Sequence, residues 1–206
     1  MIKNEKYNVL KKVFINNKGC ITEESIEKLL KISTEIEFNK NDIILGMWEN
    51  QEEVYLILNG IARSYYLDKD GNDITKQFIK ENDFCVGEGL FSSKSMQGFE
   101  ALEDIKALKF NTSELKKIIL DDYYLTQTYV EYLEQNLVYK MQREYEFQVM
   151  SATERYINFR KKYRDLEKRV NQSYIASYLG ITPESLSRIR RTIKEENYKE
   201  GNNNEL

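Results

Sequence analysis

Residues 172–191, QSYIASYLGITPESLSRIRR, satisfy at one register a set of steric conditions that few arrangements impose together. Two short helices locked at a steep angle need a small residue where the second crosses the first, and Ala176 stands there. The turn needs a residue that accepts a positive φ, and Gly180 follows four positions on. Ile175, Leu179, Ile181, Leu186 and Ile189 supply the apolar contacts between the helices. Thr182 suits the N-cap of the second helix, Pro183 its first turn and Glu184 the positive end of its dipole. An ordinary helical hairpin accounts for Ala176 and Gly180 but not for the polar outer face of the second helix. A helix-turn-helix accounts for both.

That outer face holds Pro183, Glu184, Ser185, Ser187, Arg188, Arg190 and Arg191. Arg188 is spaced to reach a guanine edge with two hydrogen bonds, and Glu184 can accept from a cytosine amino group. Ser185 and Ser187 can touch phosphates or bases. Arg190, Arg191 and Lys194 suit phosphates, which position a protein without specifying sequence. Ser173 and Tyr174, at the start of the first helix, are further candidates for the DNA backbone. The competing reading of each arginine is a solvated surface charge.

Charge distribution points the same way. The chain has 206 residues and a net charge of −3, but residues 1–150 carry a net −7 and residues 151–194 a net +7. A basic segment on an acidic chain is a candidate phosphate-contacting surface, and taken alone it reads as readily as a solvated charged face. Hydrophobic residues make up 41% of the chain, enough to build cores in a medium domain plus a small one.

Upstream the texture changes twice. Residues 4–33 read as helical, with Thr22 a helix start and Ile26, Leu29, Leu30 and Ser33 at helical spacing. From 35 to 110 there are short apolar runs: 43–45, 54–58, 61–67, 74–79 and 107–110. Turn signals such as Asn59-Gly60, Asp70-Gly71 and Asn82-Asp83 separate them, which predicts a compact antiparallel barrel or sandwich. From 121 to 150 no Gly or Pro interrupts the chain. Val130, Leu133, Leu137, Met141 and Tyr145 recur there at three- and four-residue steps, one face of a long helix. So long an apolar stripe predicts a partner helix from a second copy; packing within its own chain is the alternative. Ser151 and Glu154 have the spacing of a capping box.

Absences narrow the function classes. Histidine, the commonest general base and metal ligand, does not occur. Cys20 and Cys85 lie too far apart for a CxxC site and read as ordinary reduced thiols. No metal and no cofactor is expected. No stretch approaches the roughly 20 apolar residues of a membrane span, and no signal peptide is visible, so the expected address is the cytoplasm. The polar tail GNNNEL is expected to fray.

With these residues in view, the whole chain resembles the Crp/Fnr family of bacterial regulators. The likeness is carried by VYLILNGIARSYYLDKDGND and NDFCVGEGLF in the strand-rich part, and by SATERYINF and YIASYLGITPESLSRIRR in the C-terminal part. The resemblance implies an α+β chain: an antiparallel β-roll of the cyclic-nucleotide-binding type (a double-stranded β-helix) at 1–120, a dimerisation helix at 121–150, and a helix-turn-helix domain at 151–206. It implies that Glu184 and Arg188 read bases. It also implies an effector pocket at Gly87, Glu88, Gly89, Leu90, Gln97 and Gly98.

Three departures qualify the likeness. Members that bind cyclic AMP follow the start of this pocket motif with an arginine. Here Gly87 to Phe91 keep the start, but no Arg or Lys stands near Gln97-Gly98, and Lys94 is only a weak substitute. An effector other than cyclic AMP is therefore expected. Neither the cysteine cluster of iron–sulfur members nor the histidine of haem-sensing members is present. After Ile193 only KEENYKEGNNNEL follows, too short for a full wing, so the wing is expected to be reduced or missing.

The expected function is a homodimeric, sequence-specific DNA-binding transcription regulator. It takes a near-palindromic operator on double-stranded DNA, with RNA polymerase a further candidate partner and no membrane. An effector in the roll would shift the long helices and reset the spacing of the recognition helices. Two other readings stand against it: an enzyme on a β-barrel, disfavoured by the lack of histidine, and a ligand-binding or scaffold protein with a vestigial DNA-binding module.

Overall fold

A computed structural model describes residues 3–14, 21–91 and 94–203; Cys20 and residues 204–206 of the polar tail lie outside them. The chain divides into two compact units, Met1–Met141 and Gln142–Leu206.

In the first unit, α1 (Lys3–Phe14) and α2 (Glu23–Ile32) precede the strands. Thr22 caps α2, its hydroxyl accepting the Ser25 N–H at 3.1 Å. Of the stretch 4–33 expected to be helical, α1 and α2 are so, residues 15–20 lie outside the described residues, Ile21 and Thr22 precede α2 as non-helical chain, and Ser33 falls beyond its end. Ser33 opens β1 (Ser33–Phe38), where alternation of exposed and half-buried side chains replaces the helical period. The remaining strands are β2 (Ile43–Leu45), β3 (Glu53–Asn59), β4 (Ala62–Leu67), β5 (Asp73–Ile79), β6 (Phe84–Cys85), β7 (Gly98–Ala101) and β8 (Ile105–Asn111). They form two four-stranded sheets, β1-β8-β3-β6 and β2-β7-β4-β5, paired antiparallel throughout.

The unbroken apolar run in β3 follows from burial on both faces. Tyr55 and Ile57 pack with Phe99, Ala101, Ile105, Ala107 and the buried Cys85. Val54 and Leu56 belong to a second cluster, with Leu10, Leu29, Leu108, Phe110, Leu115 and Leu125, against the helices. The β4–β5 hairpin turns at Asp68 to Asn72, where Asp68 Oδ1 accepts the Asp70 and Asn72 N–H groups at 2.8 and 2.9 Å. In the second sheet the buried Arg63 joins three strands: its guanidinium donates to Asp73 at 2.7 and 2.9 Å, to Thr75 at 3.1 Å and to Glu100 at 2.8 Å.

After the strands come α3 (Thr112–Asp121) and α4 (Tyr123–Val149), 27 residues long. At 1.5 Å per residue α4 runs about 40 Å. Asp122 caps it: Oδ1 accepts the Tyr124 and Leu125 N–H groups, while Oδ2 accepts the Ser25 hydroxyl and so ties the helix start to α2.

The second unit holds the end of α4, then α5 (Ala152–Lys162), α6 (Leu166–Arg169), α7 (Gln172–Leu179) and α8 (Pro183–Asn203). Ser151 and Glu154 form the capping box that the spacing predicts, each side chain accepting the other's backbone N–H. Phe159, Tyr163 and Tyr178 pack ring on ring, with centroids 5.3 to 5.9 Å apart, beside the buried Leu166, Ile175, Leu179 and Leu186. Among the described residues no strand follows α8, which continues to Asn203 where a wing hairpin would otherwise begin.

Candidate nucleic-acid interface and effector cavity

In the second unit, α7 ends at Gly180 with φ +67°, the left-handed conformation expected of it. The Gly180 and Ile181 N–H groups return to the Ser177 and Ala176 carbonyls, both at 3.0 Å, and Ala176 is fully buried. Thr182 caps α8, its hydroxyl accepting the Ser185 N–H at 3.2 Å. Leu186 is buried and Ile189 half-buried on the inner side of α8.

On the outer side Thr182, Pro183, Glu184, Ser187, Arg188 and Arg191 are exposed, and Ser185 and Arg190 are half-buried. Ser173 at the start of α7 is exposed and Tyr174 is half-buried. The Glu184 carboxyl is held below the ordinary carboxylate range by its own backbone N–H and the Thr182 hydroxyl, with Arg188 one turn on adding to the effect. It therefore stands ionised, as an acceptor.

Arg190 is less free than the sequence suggests. Its guanidinium lies 3.8 Å from Glu167, which also accepts the Tyr156 hydroxyl at 2.5 Å. Arg190 and Glu167 line a shallow concavity with Arg160, Arg191 and Lys194, so positive charge continues beyond α8's first turns.

Two arginines unnoticed in the sequence hold the motif in shape. The last carbonyls of a helix lack partners within it. Arg143 donates to the Tyr178 carbonyl at 2.5 Å and lies 3.8 Å from the Tyr178 ring centroid, and Arg155 donates to the Leu179 carbonyl at 3.1 Å. The Phe147 ring closes under Gly180, where a Cβ would come within 2.6 Å of it. An arginine four residues before an aromatic is a faint signal on its own; only its place beside Gly180 gives it meaning.

On α4 the five residues expected at a dimer face, Val130, Leu133, Leu137, Met141 and Tyr145, are 40–60% exposed.

In the first unit the roll and α4 enclose a cavity of about 150 Å³. Gly87, Glu88, Gly89 and Gln97, four of the six residues read as an effector pocket, are in its lining. Leu90 instead packs in the cluster against the helices, and Gly98 lies in β7 with the Tyr65 ring where its side chain would be. Lys94 bridges Asn50 and is not in the lining. Positive charge comes from two other lysines, Lys76 on β5 and Lys140 on α4. Lys76 Nζ donates to Gln97 Oε1 at 2.7 Å, and burial, helped by Lys140 and opposed by Glu88, pushes its pKa down to about 8. Glu88 Oε2 accepts the Met96 N–H at 3.1 Å. The sequence hid this pair because 64 residues separate them.

Among the described residues no group of His, Cys, Asp or Glu side chains could hold a metal, and no helix is long and apolar enough to cross a membrane.

Comparison with known proteins places the first unit. Residues 35–122 match the cyclic nucleotide-binding domain family. The anaerobic regulatory protein of Bacillus subtilis is 29% identical over 124 residues, 59% of this chain and 52% of that protein, so the match spans about half of the relative's length. Among solved structures, FixK2 from Bradyrhizobium japonicum superposes with a TM-score of 0.74 at 22% identity, covering 81% of this chain and 86% of that one. A CooA mutant from Carboxydothermus hydrogenoformans gives 0.68 at 17% identity, over 91% and 84%. CLP of Xanthomonas campestris, a regulator described as c-di-GMP responsive, gives 0.69 at 14% identity, over 85% and 93%. At these identities the structural matches bear on the fold: a β-roll followed by a helical C-terminal part.

Proposed function

We propose that the chain, whose residues 35–122 match the cyclic nucleotide-binding domain family, is a sequence-specific DNA-binding transcription regulator of the Crp/Fnr type acting as a cytoplasmic homodimer. It is read as a regulator and not an enzyme. Residues 1–120 act as the effector domain, 121–150 as the dimerisation helix and 151–206 as the DNA-binding domain. The effector is one other than cyclic AMP, and RNA polymerase is a further partner.

One observation carries the reading: Glu184 and Arg188 stand exposed in the first turns of α8, with the cap at Thr182 and the left-handed Gly180 holding that helix at a fixed angle to α7. Two such helices related by a two-fold axis meet successive major grooves about 34 Å apart, so the operator is a near-palindrome. Arg188 pairs with guanine, Glu184 accepts from cytosine, and Ser185 and Ser187 reach bases or phosphates. Ser173, Tyr174, Thr182, Pro183, Arg190 and Arg191 lie along the backbone, which fixes register. The exposed stripe from Val130 to Tyr145 supplies the two-fold contact.

A mobility-shift series across salt concentrations tests this. Affinity falls steeply with salt. Arg188→Ala flattens the preference between operator and mutated operator, whereas Arg190→Ala weakens binding to all duplexes alike. If both variants bind every duplex as the parent does, the recognition-helix assignment fails. If the parent binds no genomic fragment, the scaffold reading replaces it.

A further inference from the structure

The cavity between the roll and α4 is small for a nucleotide and is lined by two lysines. Pockets that bury a drug-sized ligand commonly run from about 300 Å³ upward, and an engineered protein cavity of about 150 Å³ is known to take benzene. This one holds about 150 Å³. Apolar walls from Ile79, Phe84, Val86 and Phe99 make up part of it. Against them stand two ammonium groups, Lys76 and Lys140, and one carboxylate, Glu88. One positive charge is left over.

A further group in the lining is uncommitted. Ser64 is 1% exposed, and among the described residues its hydroxyl has no hydrogen-bond partner. A buried hydroxyl without a partner costs about 1–3 kcal/mol, so it is retained where something outside the chain answers it. Lys76 carries a similar penalty: burial and Lys140 disfavour its charged form. An anion placed beside both lysines relieves that penalty and accepts from Ser64.

We propose that this cavity binds a small organic monocarboxylate, whose carboxylate answers the Lys76 and Lys140 ammonium groups and the Ser64 hydroxyl while an apolar body of about benzene size packs against Phe99. The charge count favours a monoanion over a phosphate dianion, and the volume favours a ligand smaller than a purine nucleotide. The assignment rests on the reading of the first unit as an effector domain, and names the chemistry of its ligand.

Isothermal titration of the full chain with benzoate tests it, beside neutral benzamide, inorganic phosphate and cyclic AMP. Benzoate binds saturably, one per chain, and benzamide binds at least tenfold more weakly. Lys140 is exposed, so Lys140→Met keeps the fold; it weakens benzoate at least tenfold, and Ser64→Ala weakens it about threefold or more. Circular dichroism of both variants verifies folding. Failure of benzoate to bind, equal binding of benzamide, tighter binding of cyclic AMP or phosphate, or parent-like affinity in folded Lys140→Met each overturns the proposal. No DNA enters this titration. Operator binding with no benzoate binding removes only the ligand assignment; benzoate binding with no shift of any duplex removes only the regulator reading.

Discussion

Replacing Lys76 by methionine makes the first unit more stable at neutral pH. The ammonium is driven from an ordinary 10.5 down to about 8, chiefly by burial and then by Lys140, while Glu88 pulls the other way. At about 1.4 kcal/mol per unit, the charged form is disfavoured in the folded state by about 3 kcal/mol. Part of this is screened because the side chain is only partly buried, and the variant also loses the hydrogen bond to Gln97, worth about 1 kcal/mol. A net gain of about 1–2 kcal/mol remains, which for a chain this size raises Tm by about 2–8 °C. The sign with pH follows from proton binding. Between about pH 8 and 10.5 the unfolded chain holds a proton that the folded one has released, so the parent gains stability as pH rises through that window. Below it the advantage of the variant is complete; above it the advantage disappears. Thermal melts followed by the fluorescence of Trp48, the sole tryptophan and part of the first unit, measure this at pH 7 and pH 10.5. A variant less stable than the parent at pH 7, by an amount that does not change with pH, would refute the account.

Three further outcomes follow from the geometry. Gly180→Ala places a Cβ at φ +67° and 2.6 Å from the Phe147 ring, and is expected to lower the urea midpoint of the second unit by the equivalent of about 1–2 kcal/mol. Arg143→Ala strips the Tyr178 carbonyl of its donor and the ring of its cation; it costs about 1–3 kcal/mol in the same assay and lowers operator affinity. On the proposed dimerisation through α4, Met141→Glu, at a position 60% exposed, is expected to leave the fold intact and to sediment as a monomer in analytical ultracentrifugation where the parent sediments as a dimer.

What could be read in the residues alone was whatever is settled within a few positions. The α7–α8 turn is such a case, because Ala176, Gly180 and Thr182 answer local steric and capping demands. So is the Ser151–Glu154 box, and so is β3, whose unbroken apolar run reflects burial on two faces. The two-residue β6 and the four-residue β7 were missed because too few residues alternate to show a period. Ser33 fits the spacing of the helix before it, but pairing with Phe110 across the sheet places it in β1. In the cavity, the glycine–glutamate turn is legible in the sequence, but the cations are not its neighbours in the chain. Lys76 and Lys140 reach it from a strand and a helix distant in sequence, and only the fold brings them together.

Cys85, closed within the roll, gives the molecule a clock of its own. Burial drives its thiol well away from the thiolate form, so an alkylating dye reacts only when the sheets part. In a Cys20→Ser background, the labelling rate becomes a direct gauge of how often the first unit opens. Its slowing by a bound molecule then reads occupancy with neither DNA nor a chromophore on the ligand.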